Sequence, residues 1–251
     1  MWRSLFSPKW LLVHIGIACL IVLMLNLSLW QFHRLEDKKT FNMSVTTRIA
    51  QPVRPVFSVL TATKLPTNIE WRRVEAAGIY DPDEAVTIIN RSQNGSAGYD
   101  TLVPLTTESG TKILVNRGFV PLAQAAPTIP TGTVTVIGYL RASQSRSGLG
   151  LKDSDAKETT EFQRFDIPRI ASHIDGTVAP MFLQMIQDSS SDSEQWPAPV
   201  PLPPLDEGSH LSYAIQWIFF SLVALTAWGF VVRKKLRDVA TDAAVQAQTS
   251  A

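Results

Sequence analysis

Two long apolar stretches of the chain, neither broken by proline, carry no Asp, Glu, Lys or Arg: WLLVHIGIACLIVLMLNLSLWQFH, between Lys9 and Arg34, and GSHLSYAIQWIFFSLVALTAWGFVV, between Glu207 and Arg233. At ~1.5 Å of helical rise per residue, each is long enough to cross a ~30 Å hydrocarbon core. The pattern predicts two transmembrane helices, roughly Lys9–Trp30 and Leu211–Val232. The first is expected to be an uncleaved anchor. Its apolar part exceeds the ~7–15 residues of a signal peptide, and NLSLWQ has no small-residue cleavage pattern.

Between the spans the hydropathy period changes. WRRVEAAGIYD, AVTIIN, TKILVNRG and TVTVIGYLRAS are short β-branched runs of strand character, and PMFLQMIQD reads as another strand. DPDE at Asp81–Glu84, QNGSAG at Gln93–Gly98 and ESG at Glu108–Gly110 read as turns. Residues 34–50 continue the first span as a charged helix, and QPVRPVFSVLTATKLP follows as an extended connection. SQSRSGLGLKDSDAKETT reads as a mobile loop. FDIPRIASHI reads as a short helix capped by Asp166, with Pro168 in its first turn. Five prolines within Pro197–Pro204 predict an extended, polyproline-like connector.

The fold class expected is an α+β membrane protein, with two transmembrane helices flanking a β-rich extracytoplasmic domain, a small antiparallel barrel or sandwich. The expected divisions are an N-terminus at 1–9, the first span at 10–32, the β-rich domain at 33–209 with its connector at 197–204, the second span at 210–232, and a basic, disordered tail at 233–251. Arg3 and Lys9 precede the first span, and Arg233, Lys234, Lys235 and Arg237 follow the second. Positive-inside counting puts both termini in the cytoplasm.

A net charge of +1 over 251 residues gives no basic stripe for nucleic acid. The single cysteine, Cys19, lies in the first span, so the β-rich domain has no disulfide. Away from the spans and their edges there is one histidine, His173, and no hydrolase elbow, zinc-protease motif or phosphate loop, so a binding role is expected rather than an enzyme.

The other three histidines, His14, His33 and His210, lie in or beside the spans, where polar groups are costly. His33 stands 24 residues after Lys9 and His210 stands 23 before Arg233, so both are expected at the same membrane boundary. His210, Tyr213 and Trp217 share a helical face, continued by Ser221 and Ala224, as do Asn26, Trp30, His33, Arg34 and Asp37. Imidazole can ligate haem iron and a guanidinium can hold a propionate, so His210, Tyr213, Trp217, His33 and Arg34 are candidate binders of a flat macrocycle. The same aromatic residues equally suit an ordinary interfacial belt.

Four stretches, in order, resemble one family. LWQFHRLEDK at Leu29–Lys38 is similar to the W-Q-x-x-R-x-x-x-K signature of Surfeit-locus cytochrome c oxidase assembly proteins, bacterial type, and supplies Trp30 and Gln31. ILVNRGFVP at Ile113–Pro121 resembles their V-N-R-G-[WF]-V-P signature and supplies Asn116, Arg117 and Gly118. GYLR at Gly138–Arg141 and HLSYAIQW at His210–Trp217 complete the set. The resemblance implies a membrane-bound assembly factor acting on oxidase subunit I, with other oxidase or haem a biosynthesis proteins as partners. It implies transient binding of haem a, with His210 at the iron and Trp217 on the same face. Participation of His33 as a second axial ligand is a separate expectation from its depth. Arg117 is expected either to serve the strand turn or to reach a partner or propionate. The alternative function is a two-span scaffold that stabilises an oxidase intermediate without binding haem. With about nine residues before the first span, a bacterial plasma membrane is expected.

Overall fold

The computed structural model of the chain describes residues 5–60, 68–125, 127–145, 159–190 and 196–249. It divides into two compact units: a helical unit, Met1–Met43 with Leu205–Ala251, and a β unit, Ser44–Pro204.

The helical unit is built on α1 (Pro8–Ile49), whose last residues belong to the β unit, and α4 (His210–Thr249). Among the described residues these are the two helices long and apolar enough to cross a membrane. Only 6% of each apolar window is buried, so their Leu, Val and Phe side chains face outward, as lipid-facing residues do. The expected helical continuation over 34–50 is present, because α1 runs without a break to Ile49. The expected disordered tail is corrected: α4 extends to Thr249, since DVATDAAVQAQT has no Gly or Pro and is rich in Ala.

The β unit holds one mixed sheet in the order β1-β2-β6-β8-β5-β4-β3-β7. Its strands are β1 (Arg54–Pro55), β2 (Arg73–Tyr80), β3 (Val86–Gln93), β4 (Ser96–Thr107), β5 (Lys112–Pro121), β6 (Thr133–Ala142), β7 (Glu161–Phe162) and β8 (Val178–Asp188). The end of β2 also pairs with β4 over three residues, Gly78–Tyr80, which curls the sheet. β1, β3 and β7 continue beyond that seam, so neither a closed barrel nor a two-sheet sandwich forms. The antiparallel expectation also needs correction, because β8 lies parallel to β5. The reason is the crossover: β8 follows β7 and the helix α3 (Ile167–Ala171), and a parallel neighbour needs such a long return. Asp166 caps α3 by accepting from the Arg169 N–H at 3.4 Å.

Alternation along the strands explains two cores. Val103, Leu105, Ile113, Val115, Met181 and Leu183 face one cluster inside the curl with Val74, Val136 and Leu140. Leu102, Leu114 and Phe182 point the other way, against Ile88, Phe162 and the α3 residues Ile167 and Ile170. β5 is therefore buried on both faces, at nine of its ten positions, with the polar Asn116 and Arg117 enclosed along with its apolar residues.

The sequence pattern does not predict β4, because Gln93–Gly98 reads wholly as a turn. The turn is only Asn94–Gly95, both at positive φ, and Ser96 already pairs with Gln93. The 51–66 connection also departs from expectation in its described part: β1 pairs with β2, and α2 (Val56–Val59) adds one helical turn. Thirteen of the eighteen residues of the expected mobile loop, 146–158, lie outside the described residues. The Pro-rich connector is non-helical over its described part, and its Ala198 pairs with Phe119 of β5.

Candidate functional site

In the helical unit, α1 and α4 pack antiparallel along seams of three- and four-residue spacing. The less exposed positions on α1 are His14, Ile17, Ile21, Met24, Ser28, Gln31 and Leu35. Those on α4 are His210, Ala214, Trp217, Ser221, Ala224 and Trp228. This is the repeat of coiled-coil-like packing. Small residues lie on the seam: Ser28 and Ala214 are buried, and Ser28 Oγ donates to the Ala214 carbonyl at 3.0 Å. Such close approach with a hydroxyl bond is how helices associate where no water drives them together.

The seam carries one histidine near each end, and the two differ chemically. His14 Nδ1 accepts from the Trp228 indole N–H at 3.0 Å, so Nε2 bears the proton and donates to the Leu5 carbonyl at 3.2 Å. Both nitrogens are engaged. His210 Nδ1 lies 2.8 Å from Gln31 Oε1 and donates to it. In the neutral ring that leaves Nε2 as a lone pair, and among the described residues it makes no hydrogen bond.

The approach to His210 is held from α1. Asn42 Nδ2 donates to the carbonyls of Leu205 (2.9 Å) and Asp206 (3.2 Å), and Lys39 pairs with Glu207 at 3.9 Å. Gly208 then takes φ +67, the left-handed region that glycine occupies without penalty. A methyl group there would stand 3.4 Å from His210 Cδ2 and 3.6 Å from Nε2. Glycine thus leaves the Cδ2–Nε2 edge of the imidazole free of that contact.

The expected facing of the helices is corrected. Asn26, Trp30, His33, Arg34 and Asp37 do share a face of α1, but every one is exposed, and the buried stripe through Ser28, Gln31 and Leu35 lies on the other side. His33 and Arg34 therefore do not face His210, and Arg34 pairs instead with Asp37 at 3.6 Å. Tyr213 is 49% exposed, off the seam, while Trp217 is half-buried on it and packs edge-on with Phe220. The residue that meets His210 is Gln31. Its signal was the phase of the heptad: three residues beyond Ser28 and four before Leu35, whereas His33 lies about 200° away from Gln31 at ~100° per residue.

In the β unit the VNRG stretch forms a bulge in β5. Leu102 pairs with Asn116 and Thr101 with Gly118, leaving Arg117 as the extra residue. Asn116 Oδ1 accepts from the Gly118 N–H at 3.0 Å, and its Nδ2 donates to buried Asp100 at 3.3 Å. Gly118 takes φ +132, with the Ala198 carbonyl oxygen only 2.3 Å from where a Cβ would be. Phe119 and Ala198 exchange backbone bonds of 2.8 and 2.9 Å, so the connector is stitched over this bulge. Arg117 is 5% exposed, donates to the Thr128 carbonyl at 2.8 Å and stacks on the Tyr80 ring at 5.6 Å. It points inward, not toward a partner. Burial pushes the Tyr80 hydroxyl above its ordinary pKa, with Arg117 opposing.

Arg141, from GYLR, is a hub that sequence reading passed over. Its Nε donates to Glu70 at 3.0 Å and its Nη1 to Gln184 at 2.7 Å, and its guanidinium lies 3.8 Å over the Trp71 ring. Gln184 Nε2 donates in turn to the connector's Val200 carbonyl at 3.0 Å, and Arg48 at the end of α1 donates to the Glu70 carbonyl at 3.2 Å. One guanidinium thus links the network holding both ends of the β unit. Its signal was the planar, five-donor head that only Arg provides.

The SURF1 family model matches residues 18–222. A SURF1-like protein of Mycobacterium tuberculosis is 26% identical over 241 residues, covering 93% of this chain and 87% of its own length. A SURF1-like protein of Monosiga brevicollis is 26% identical over 239 residues, covering 85% of each chain. Surfeit locus protein 1 of Takifugu rubripes is 29% identical over 101 residues, covering 32% of this chain and 42% of its own length. With the family match running from α1 through the whole β unit into α4, this chain belongs to the SURF1 family.

Proposed function

We propose that this chain is an assembly factor for haem-copper cytochrome c oxidase that holds haem a at His210 and yields it to oxidase subunit I. The observation supporting this is the Gln31–His210 bond of 2.8 Å, which leaves Nε2 unprotonated beside an uncovered glycine. A haem supplies four iron ligands itself, so one imidazole is a sufficient protein contribution.

His210 Nε2 would hold the iron and Trp217 would pack beside it from the same helical face. Gln31 keeps the ring tautomer and orientation fixed between loading events. A single protein ligand suits a carrier, because cargo held by one bond is released more readily than cargo held in a two-ligand clamp. His33 and Arg34, on the opposite face of α1, have no part in this site. The membrane placement proposed has both termini in the cytoplasm and the β unit outside, supported by the basic residues flanking each span.

The test is purification of full-length protein from cells that make haem a, with haem a quantified spectroscopically. Wild type is expected to retain haem a and His210→Ala to lose it. Equal, negligible haem in both sinks the carrier reading and leaves a two-span scaffold that stabilises an oxidase intermediate.

A further inference from the structure

α1 has a second seam. Opposite the stripe that packs on α4, Cys19, Leu23, Asn26, Trp30, His33 and Asp37 follow one another at spacings of four and three residues. All are exposed. This is the heptad phase that lets two helices lie side by side with interlocking side chains. The described chain places nothing on it.

One residue on that seam is out of place in lipid. Asn26 lies eight positions before Arg34, about 12 Å deeper at ~1.5 Å per residue. Its Nδ2 donates to the Val22 carbonyl at 2.8 Å, which uses one of two amide hydrogens. The second hydrogen and Oδ1 have no partner among the described residues. Hydrocarbon offers them none, and unpaired polar groups there are costly. A spare donor beside a spare acceptor is self-complementary: two such carboxamides facing each other satisfy both.

We propose that this seam pairs with the same seam of a second copy of the chain, parallel in one bilayer, joined at its centre by a reciprocal Asn26–Asn26 bond. Copies inserted alike put equal residues at equal depth, which a reciprocal pair requires. Cys19 lies seven residues from Asn26 on the same seam and meets its counterpart too. At the other end Asp37 is neutralised by Arg34 of its own helix, so the two Asp37 residues do not oppose pairing. The proposal rests on α1 spanning the membrane and is independent of haem binding.

Cys19 is the only cysteine, so the native protein carries its own probe. Mild oxidation in membranes is expected to give a disulfide-linked species at twice the 27.7 kDa chain mass, reversed by thiol reductant. Asn26→Leu leaves the α4-facing seam intact and is expected to weaken dimerisation about tenfold, read by sedimentation in detergent. A wild-type chain that sediments as a monomer, a dimer without Cys19 cross-linking, a cross-link only to a different membrane protein, or an Asn26→Leu variant that dimerises like wild type would each overturn it.

Discussion

Gln31 Oε1 stands 2.8 Å from His210 Nδ1, across 179 residues of sequence and between two helices. That one bond decides which imidazole nitrogen is protonated. Replacing Gln31 with Leu frees the ring to rotate and to place its proton on either nitrogen. Loss of such an outer partner typically costs ~10–100-fold in metal affinity. Gln31→Leu is therefore expected to weaken haem retention by about that factor, while His210→Ala abolishes it. Haem titration of the two purified variants separates these outcomes.

Gly118 faces both a left-handed backbone angle and a carbonyl oxygen 2.3 Å from any added Cβ. Gly118→Ala should destabilise the full chain by at least about 2 kcal/mol, from backbone strain and displacement of the stitched connector. Thermal unfolding in detergent measures it. Gly110 also has positive φ but nothing near its Cβ position, so Gly110→Ala should cost less.

Arg141 binds Glu70, Gln184 and the face of Trp71 at once. A lysine keeps the charge but cannot fork between two acceptors while lying flat on an indole. Arg141→Lys is expected to cost about 1–2 kcal/mol and Arg141→Ala about 2–4 kcal/mol. Hydrogen exchange should show the Val200 region of the connector loosening in both variants.

Asp100 is 3% exposed, and burial raises its carboxyl above the ordinary value of 3.8, with Arg91 and Asn116 opposing. A raised acid contributes stability that is full below its ordinary pKa and is lost as pH rises through the folded value. Asp100→Asn does not titrate. Its melting temperature relative to wild type should therefore rise as pH is taken from below 3.8 toward neutrality. A difference that stays flat with pH would show that Asp100 is not the titrating group.

The two spans and five of the eight strands were legible because long apolar runs and β-branched alternation are local signals. α3 was legible from Asp166 and Pro168 for the same reason. β8's insertion parallel to β5 was not, since pairing order depends on a crossover rather than on any residue in PMFLQMIQD. Likewise the His210 depth match was readable by counting residues, but its partner was not. Residues 30, 33 and 34 are aromatic or basic and draw the eye, whereas the phase of the buried stripe selects Gln31. Arg117 carries a charge and so suggests a partner, yet the bulge in β5 turns it inward under Tyr80.

The stitch between Phe119 and Ala198 also sets a timetable for synthesis. β5 leaves the ribosome 79 residues before its connector partner. At ~5–20 residues per second the nascent β unit waits roughly 4–16 s with the Phe119 edge unpaired. The missing piece then arrives only a dozen residues ahead of His210, so sealing of the sheet and emergence of the second helix nearly coincide. Until that moment the Phe119 edge of the VNRG bulge has no connector to pair with.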